Sequence, residues 1–152
     1  MARATNLYRL QEVDEALRER RLRLEEIKRI LSENEEVASA GSKVEAAQAA
    51  FIKAKSLTGE AEQAAAAQRA KIEKTDHALY SGTVTDPKQL EELQMEAASL
   101  KKYMATLEDR LLEAMVDLES AEEAYQSAKQ ELASTQAVVA EQQGELNEER
   151  NR

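Results

Sequence analysis

LEELQMEAASLKKYMATLEDRLLEAMVDLESAEEAYQSAKQELASTQAVVAEQQGEL, residues 90–146, decides the fold of this chain. Its apolar or small residues recur at alternating steps of three and four. The series runs Leu90, Leu93, Ala97, Leu100, Met104, Leu107, Leu111, Ala114, Leu118, Ala121, Tyr125, Ala128, Leu132, Thr135, Val139, Gln142 and Leu146. That is a 3.5-residue period, and an α-helix with such a stripe must supercoil left-handedly around a partner to keep it covered. At 1.5 Å per residue the segment reaches roughly 85 Å, too long for a helix of an ordinary globule.

Working back toward the N-terminus, the same steps return in two frames. Leu10, Val13, Leu17, Leu24, Ile27 and Leu31 follow one frame, with Arg20 as its single intruder. A second runs Ile30, Val37, Ala40, Val44, Ala47, Phe51, Ala54, Thr58, Ala61, Ala65, Gln68, Ile72, Thr75 and Leu79. The frames differ by one residue and meet at Ile30-Leu31, ahead of the polar run Ser32-Glu33-Asn34-Glu35-Glu36. Gly41 and Gly59 each cost about 1 kcal/mol relative to Ala inside a helix. A bend or local unwinding is expected over 30–41, without a full stop.

Between the two periodic arms lies the only proline, Pro87. Asp86 suits the N-cap, Pro87 the first helical position, and Gln89 the third position of a capping box. Gly82 supplies a stop for the first arm. The fold expected is all-α: a long, kinked, antiparallel two-helix coiled-coil hairpin forming a single domain over 1–152. Its first arm is 5–79, its tip loop 80–86, its second arm 87–148, with a frayed tail at 149–152.

In an antiparallel pair, facing residues have a constant number sum. A sum of 165 sets one large residue against one small one in each layer, as in Phe51–Ala114, Ala47–Leu118 and Ala40–Tyr125, which fills a thin core evenly. A sum of 172 brings Thr58 onto Ala114 and loses some of that alternation. The expected register is therefore 165. It leaves Leu7, Leu10, Val13 and Leu17 without a partner in these residues, and an apolar face of that length rarely stays in water.

Composition agrees with rods rather than globules. Ala, Glu, Leu, Arg and Lys make up 90 of 152 residues, against one Phe, four Tyr and no Trp. Such a bias with a helical period marks long helices. There is no cysteine, so no disulfide and no thiolate chemistry. No stretch approaches the ~18 apolar residues of a membrane span, and the N-terminus lacks the apolar centre of a secretion signal. A cytoplasmic protein follows as the expectation.

The net charge of −9 disfavours binding driven by phosphate neutralisation. One segment runs against it: Arg18, Arg20, Arg21, Arg23, Lys28 and Arg29 form a possible basic patch for RNA or an acidic partner. Glu15, Glu19, Glu25 and Glu26 lie among them at helical spacings, so intrahelical pairing is the plainer account.

Residues suited to catalysis are sparse. His77 is the only histidine, with Glu73 and Asp76 as its nearest carboxylates, too few ligands for a metal site. Carboxylate pairs such as Glu35-Glu36 and Glu122-Glu123 have no apolar enclosure to separate their proton affinities. Ser39-Ala40-Gly41-Ser42-Lys43 lacks the spacing of a phosphate loop. No enzyme, metal or small-molecule substrate is expected. Recognition remains, and loops on rigid scaffolds often carry it. In the tip, Tyr80, Ser81, Gly82, Thr83, Val84 and Thr85 form the candidate protein-binding site. Tyr80 and Val84 either stand out as anchors or fold inward to cap the seam.

The tip also carries a resemblance. Tyr80-Ser81-Gly82-x-Val84-Thr85-Asp86-Pro87-Lys88-Gln89-Leu90, followed by Leu93-Gln94-x-Glu96, resembles the hairpin tip of a bacterial coiled-coil family with a C-terminal four-cysteine zinc ribbon. Leu7-Tyr8-x-Leu10-Gln11-x-Val13-Asp14 is similar to the start of that family. The resemblance implies a kinked hairpin with an adaptor role. Its implied partners are an alternative sigma factor or a component of flagellar or type III secretion systems, with RNA binding at the ribbon end. This chain ends at Asn151-Arg152 without a Cys-x-x-Cys knuckle, so no cofactor is expected here and zinc only in the absent ribbon. The function expected is a non-enzymatic scaffold or adaptor that binds protein through the tip or a helical flank. The alternative is RNA binding through 18–29 or such a ribbon.

Overall fold

The computed structural model describes residues 2–151. Two helices account for nearly all of them: α1, Ala2–Tyr80, and α2, Pro87–Asn151. They form an antiparallel coiled-coil hairpin. In α2 the seventeen positions of the heptad series are buried or half-buried and every other described residue of the helix is exposed. The 3.5-residue spacing therefore maps directly onto the seam, as supercoiling requires.

The core is thin. Its buried apolar residues are Ala40, Ala65, Ala97, Met104 and Leu107, and no large side chain is wholly enclosed among the described residues. Two compact units divide the hairpin: one joins the residues up to Lys43 with those from Lys129 onward, and the other is Val44–Ala128.

Several expectations need correction. The helices reach further than the sequence suggests, since Tyr80 is helical and so are residues 149–151. No unwinding occurs over 30–41, where every residue is helical. Packing of Val37, Ala40 and Val44 against α2 offsets the roughly 1 kcal/mol cost of Gly41, because helical stability in proteins comes mainly from tertiary contacts. The two frames of α1 do not succeed one another either. Over 26–31 they coexist on adjacent faces: Glu26 and Ile30 are half-buried, whereas Ile27 and Leu31 are 53% and 58% exposed. A one-residue offset is about 100° around a helix, so one frame serves α2 and the other lies on the exposed flank beside it.

The register is also one heptad from the expected one. In the Val44–Ala128 unit the Thr58 hydroxyl donates to the Ala114 carbonyl at 3.2 Å, a sum of 172. Gln68 Nε2 donates to the Leu100 carbonyl at 2.9 Å, and the rings of Phe51 and Tyr125 stack with centroids 5.8 Å apart. Thr58 and Ala114 make a layer of two small residues, which costs apolar contact but lets the backbones approach. The single hydroxyl hydrogen is then shared between the Ala54 carbonyl, at 2.8 Å, and the Ala114 carbonyl across the seam. This register also sets Phe51 against Ala121, Tyr125 against Ala47, and Ala61 against Leu111, so large–small alternation survives over much of the seam, although Ile72 meets Leu100 and Leu79 meets Leu93.

In the other unit two ion pairs, with sums of 174 and 176, flank layers of the same register. Lys43 Nζ meets Glu131 Oε1 at 3.5 Å, and an Arg150 guanidinium nitrogen donates to Glu26 Oε1 at 2.8 Å. Its seam holds a residue that heptad reading leaves blank. Glu33 lies midway between Ile30 and Val37, is 6% exposed, and neither carboxylate oxygen has a hydrogen-bond partner. Arg29 Nε is 3.9 Å away, too long for a hydrogen bond.

Candidate functional site: the hairpin tip

The tip is built by terminating one helix and starting the next within six residues. At the end of α1, the Ser81 N–H donates to the His77 carbonyl at 2.9 Å. Gly82 then adopts φ +74°, a left-handed conformation that a Cβ disfavours. Ser81 Oγ and Thr83 Oγ1 lie 2.9 Å apart and share a hydrogen bond.

On the far side Asp86 is the N-cap. Its Oδ1 accepts from the Lys88 N–H at 3.2 Å, and its carbonyl accepts from the Leu90 N–H at 3.0 Å, the first bond of α2. Pro87 occupies the first helical position, where its missing N–H costs nothing. The capping box is not completed, because Gln89 is exposed and its side chain makes no hydrogen bond back to Asp86. The carboxylate of Asp86 has already satisfied one free N–H, and Gln89 is left to solvent.

This geometry separates the two tip anchors. Tyr80 is 79% exposed, the highest value among the large hydrophobic residues described. Val84 is half-buried, while Ser81, Gly82, Thr83 and Thr85 are exposed. The tip thus presents one aromatic ring on a backbone fixed from both ends, with Val84 turned partly inward.

The other sequence candidates are placed as follows. Arg18, Arg20, Arg21, Arg23, Lys28 and Arg29 are all exposed. At 100° per residue they ring α1 rather than line one face. The expected intrahelical pairing is confined to Arg29 with Glu33, and Glu26 pairs instead with Arg150 across the hairpin. Arg18, Arg20, Arg21 and Arg23 make no ion pair among the described residues. His77 is exposed, and among the described residues no cluster of three or more His, Asp and Glu side chains is placed to hold a metal. No helix among them is long and apolar enough to cross a membrane.

Sequence reasoning missed two features. Glu33 was hidden because its residue type does not belong in a seam, although its position midway between Ile30 and Val37 was the signal. Asp76 is the second: its Oδ1 is buried, and Lys101 Nζ of α2 approaches it at 3.4 Å.

No curated protein and no solved structure matches the chain. A family model described as the CT398-like coiled coil hairpin domain matches residues 10–152. That span takes in both arms, the seam and the tip, and the chain belongs to the CT398-like coiled coil hairpin family.

Proposed function

We propose that the chain is a non-enzymatic interaction scaffold that binds a protein partner through its tip, with Tyr80 as the anchor. The observation that carries this is the exposure of Tyr80 on a turn whose backbone is held by Gly82, the Ser81–Thr83 bond and the Asp86 cap. A pre-ordered loop loses little conformational freedom on binding. An exposed Tyr supplies large contact area of the kind enriched at binding hot spots. An adaptor needs no cofactor in this chain. The resemblance of the tip motif to the zinc-ribbon hairpins favours an alternative sigma factor or a secretion-apparatus component as partner, met in the cytoplasm.

The test compares wild type with Tyr80→Ala as baits for such purified partners and for a cell lysate. Capture by wild type alone, with the circular dichroism of the two baits unchanged, supports the tip. Equal capture by both sinks it and moves the site to a helical flank.

One observation favours the RNA reading: Arg18, Arg20, Arg21 and Arg23 are exposed and, among the described residues, unpaired. It requires an affinity that falls steeply with salt and is lost when Arg20, Arg21 and Arg23 become Glu. A flat salt response would end it.

A further inference from the structure

We infer that the outward frame of α1 is a self-association face, and that two copies of this chain pair antiparallel along residues 7–31. Leu10, Val13, Leu17, Leu24, Ile27 and Leu31 are each between 47% and 59% exposed. They follow a heptad spacing broken only at Arg20, and at least the last three lie beside a seam already occupied by α2. A solvent-facing helix surface has no reason to keep such spacing; a second coiled-coil seam does.

The area suits a dimer. Six such side chains, at on the order of 100 Å² of apolar surface each, offer about 600 Å² per copy. With the stem of Arg20 and the flanking residues this approaches the roughly 800 Å² per partner of a stable interface.

Charge selects the orientation. In a parallel pair Arg20 would meet Arg20 within the seam, and Arg23 would flank Lys28 of the second copy, two repulsive contacts against the single attractive pair of Arg9 with Asp14. In an antiparallel pair whose facing numbers sum to 37, Leu10 faces Ile27 of the second copy, Val13 faces Leu24 and Leu17 faces Arg20. Asp14 then flanks Arg21 of the second copy, and symmetry repeats that attractive pair.

The neighbouring surface of α2 is prepared for a third helix. One side of its terminal stretch carries Glu141, Glu145 and Glu148. The side next to Leu24, Ile27 and Leu31 carries Ala140, Gln143 and Asn147, all exposed and uncharged, ahead of Arg150, whose charge is paired with Glu26. Residues 7–13 of the second copy would lie along this uncharged flank and the outward face of α1, making a short three-helix bundle at each end of the paired segment.

Light scattering on the full chain at micromolar concentration tests this. The expected mass is twice the 17.0 kDa of one chain. Leu10→Glu with Val13→Glu should weaken association on the order of 100-fold or more, since both carboxylates would enter apolar layers. Residues 10 and 13 are exposed in the hairpin, so its helicity should stay unchanged. Because the chain has no cysteine, orientation can be read directly. An equimolar mixture of Val13→Cys and Leu24→Cys chains should form the mixed disulfide in preference to either homodisulfide. A monomeric wild type, a dimer indifferent to the paired Glu substitutions, or preferential homodisulfides would each overturn the inference.

Discussion

Replacing Glu33 by Leu should stabilise this protein, and the expected size follows from the seam. Glu33 is 6% exposed with neither oxygen hydrogen-bonded. A buried polar group left unsatisfied costs about 1–3 kcal/mol, more when charged. Leu has nearly the same helix propensity and a similar volume, and its burial is worth about 1.5–3 kcal/mol as an upper bound. Against this stands the contact with Arg29 at 3.9 Å, an i,i+4 pair worth at most about 0.5 kcal/mol. The net expectation is a gain of about 2–4 kcal/mol. Urea unfolding followed by circular dichroism reads it directly. With a slope of about 2 kcal/mol per molar, the midpoint should rise by about 1–2 M. Glu33→Gln, which removes the charge but keeps polar atoms in the seam, should give a smaller rise. A midpoint that falls in both variants would show that the carboxylate stabilises the folded seam, and the reasoning would fail.

Three further outcomes test the packing. Thr58→Cys with Ala114→Cys should close an internal disulfide on mild oxidation, because the 3.2 Å hydroxyl–carbonyl contact requires close backbones. Thr58→Cys with Leu107→Cys should not, and the reverse result would restore the register of 165. Phe51→Ala removes the stack on Tyr125 and the Lys55 ammonium contact at 5.2 Å from the ring. It should cost about 2–3 kcal/mol in the same urea assay, below the range for fully buried Phe because the ring is half-exposed. Gly59→Ala places a Cβ with no atom within 4 Å and should raise stability by about 0.5–1 kcal/mol, whereas Gly82→Ala, at φ +74°, should lower it by about 1 kcal/mol; opposite melting-temperature shifts are the check.

A heptad stripe is a local property, and every position of α2 could be assigned to seam or solvent from the spacing of Leu, Ala and a few polar residues alone. The turn was equally legible, because Gly82, Asp86 and Pro87 each act through their own backbone chemistry. Register was not. Sums of 165 and 172 both pair large residues with small ones, and they differ through contacts no spacing encodes. The Thr58 hydroxyl reaching the Ala114 carbonyl and the stacking of Phe51 on Tyr125 exist only once two helices lie side by side. Glu33 shows the same limit from the other direction: its residue type argues for solvent, yet its position in the 3.5-residue period places it in the seam. For the tip, the sequence determined that Tyr80 and Val84 flank a glycine turn. Which of them faces out was decided by where α1 ends: Tyr80 on its last turn is exposed, while Val84 in the loop is half-buried. The sequence by itself determined two helices, the seam of the second and the turn between them, because those rest on period and local propensity. Only the tertiary structure decided register, the buried carboxylate and the presented ring, because each depends on what the opposite helix brings.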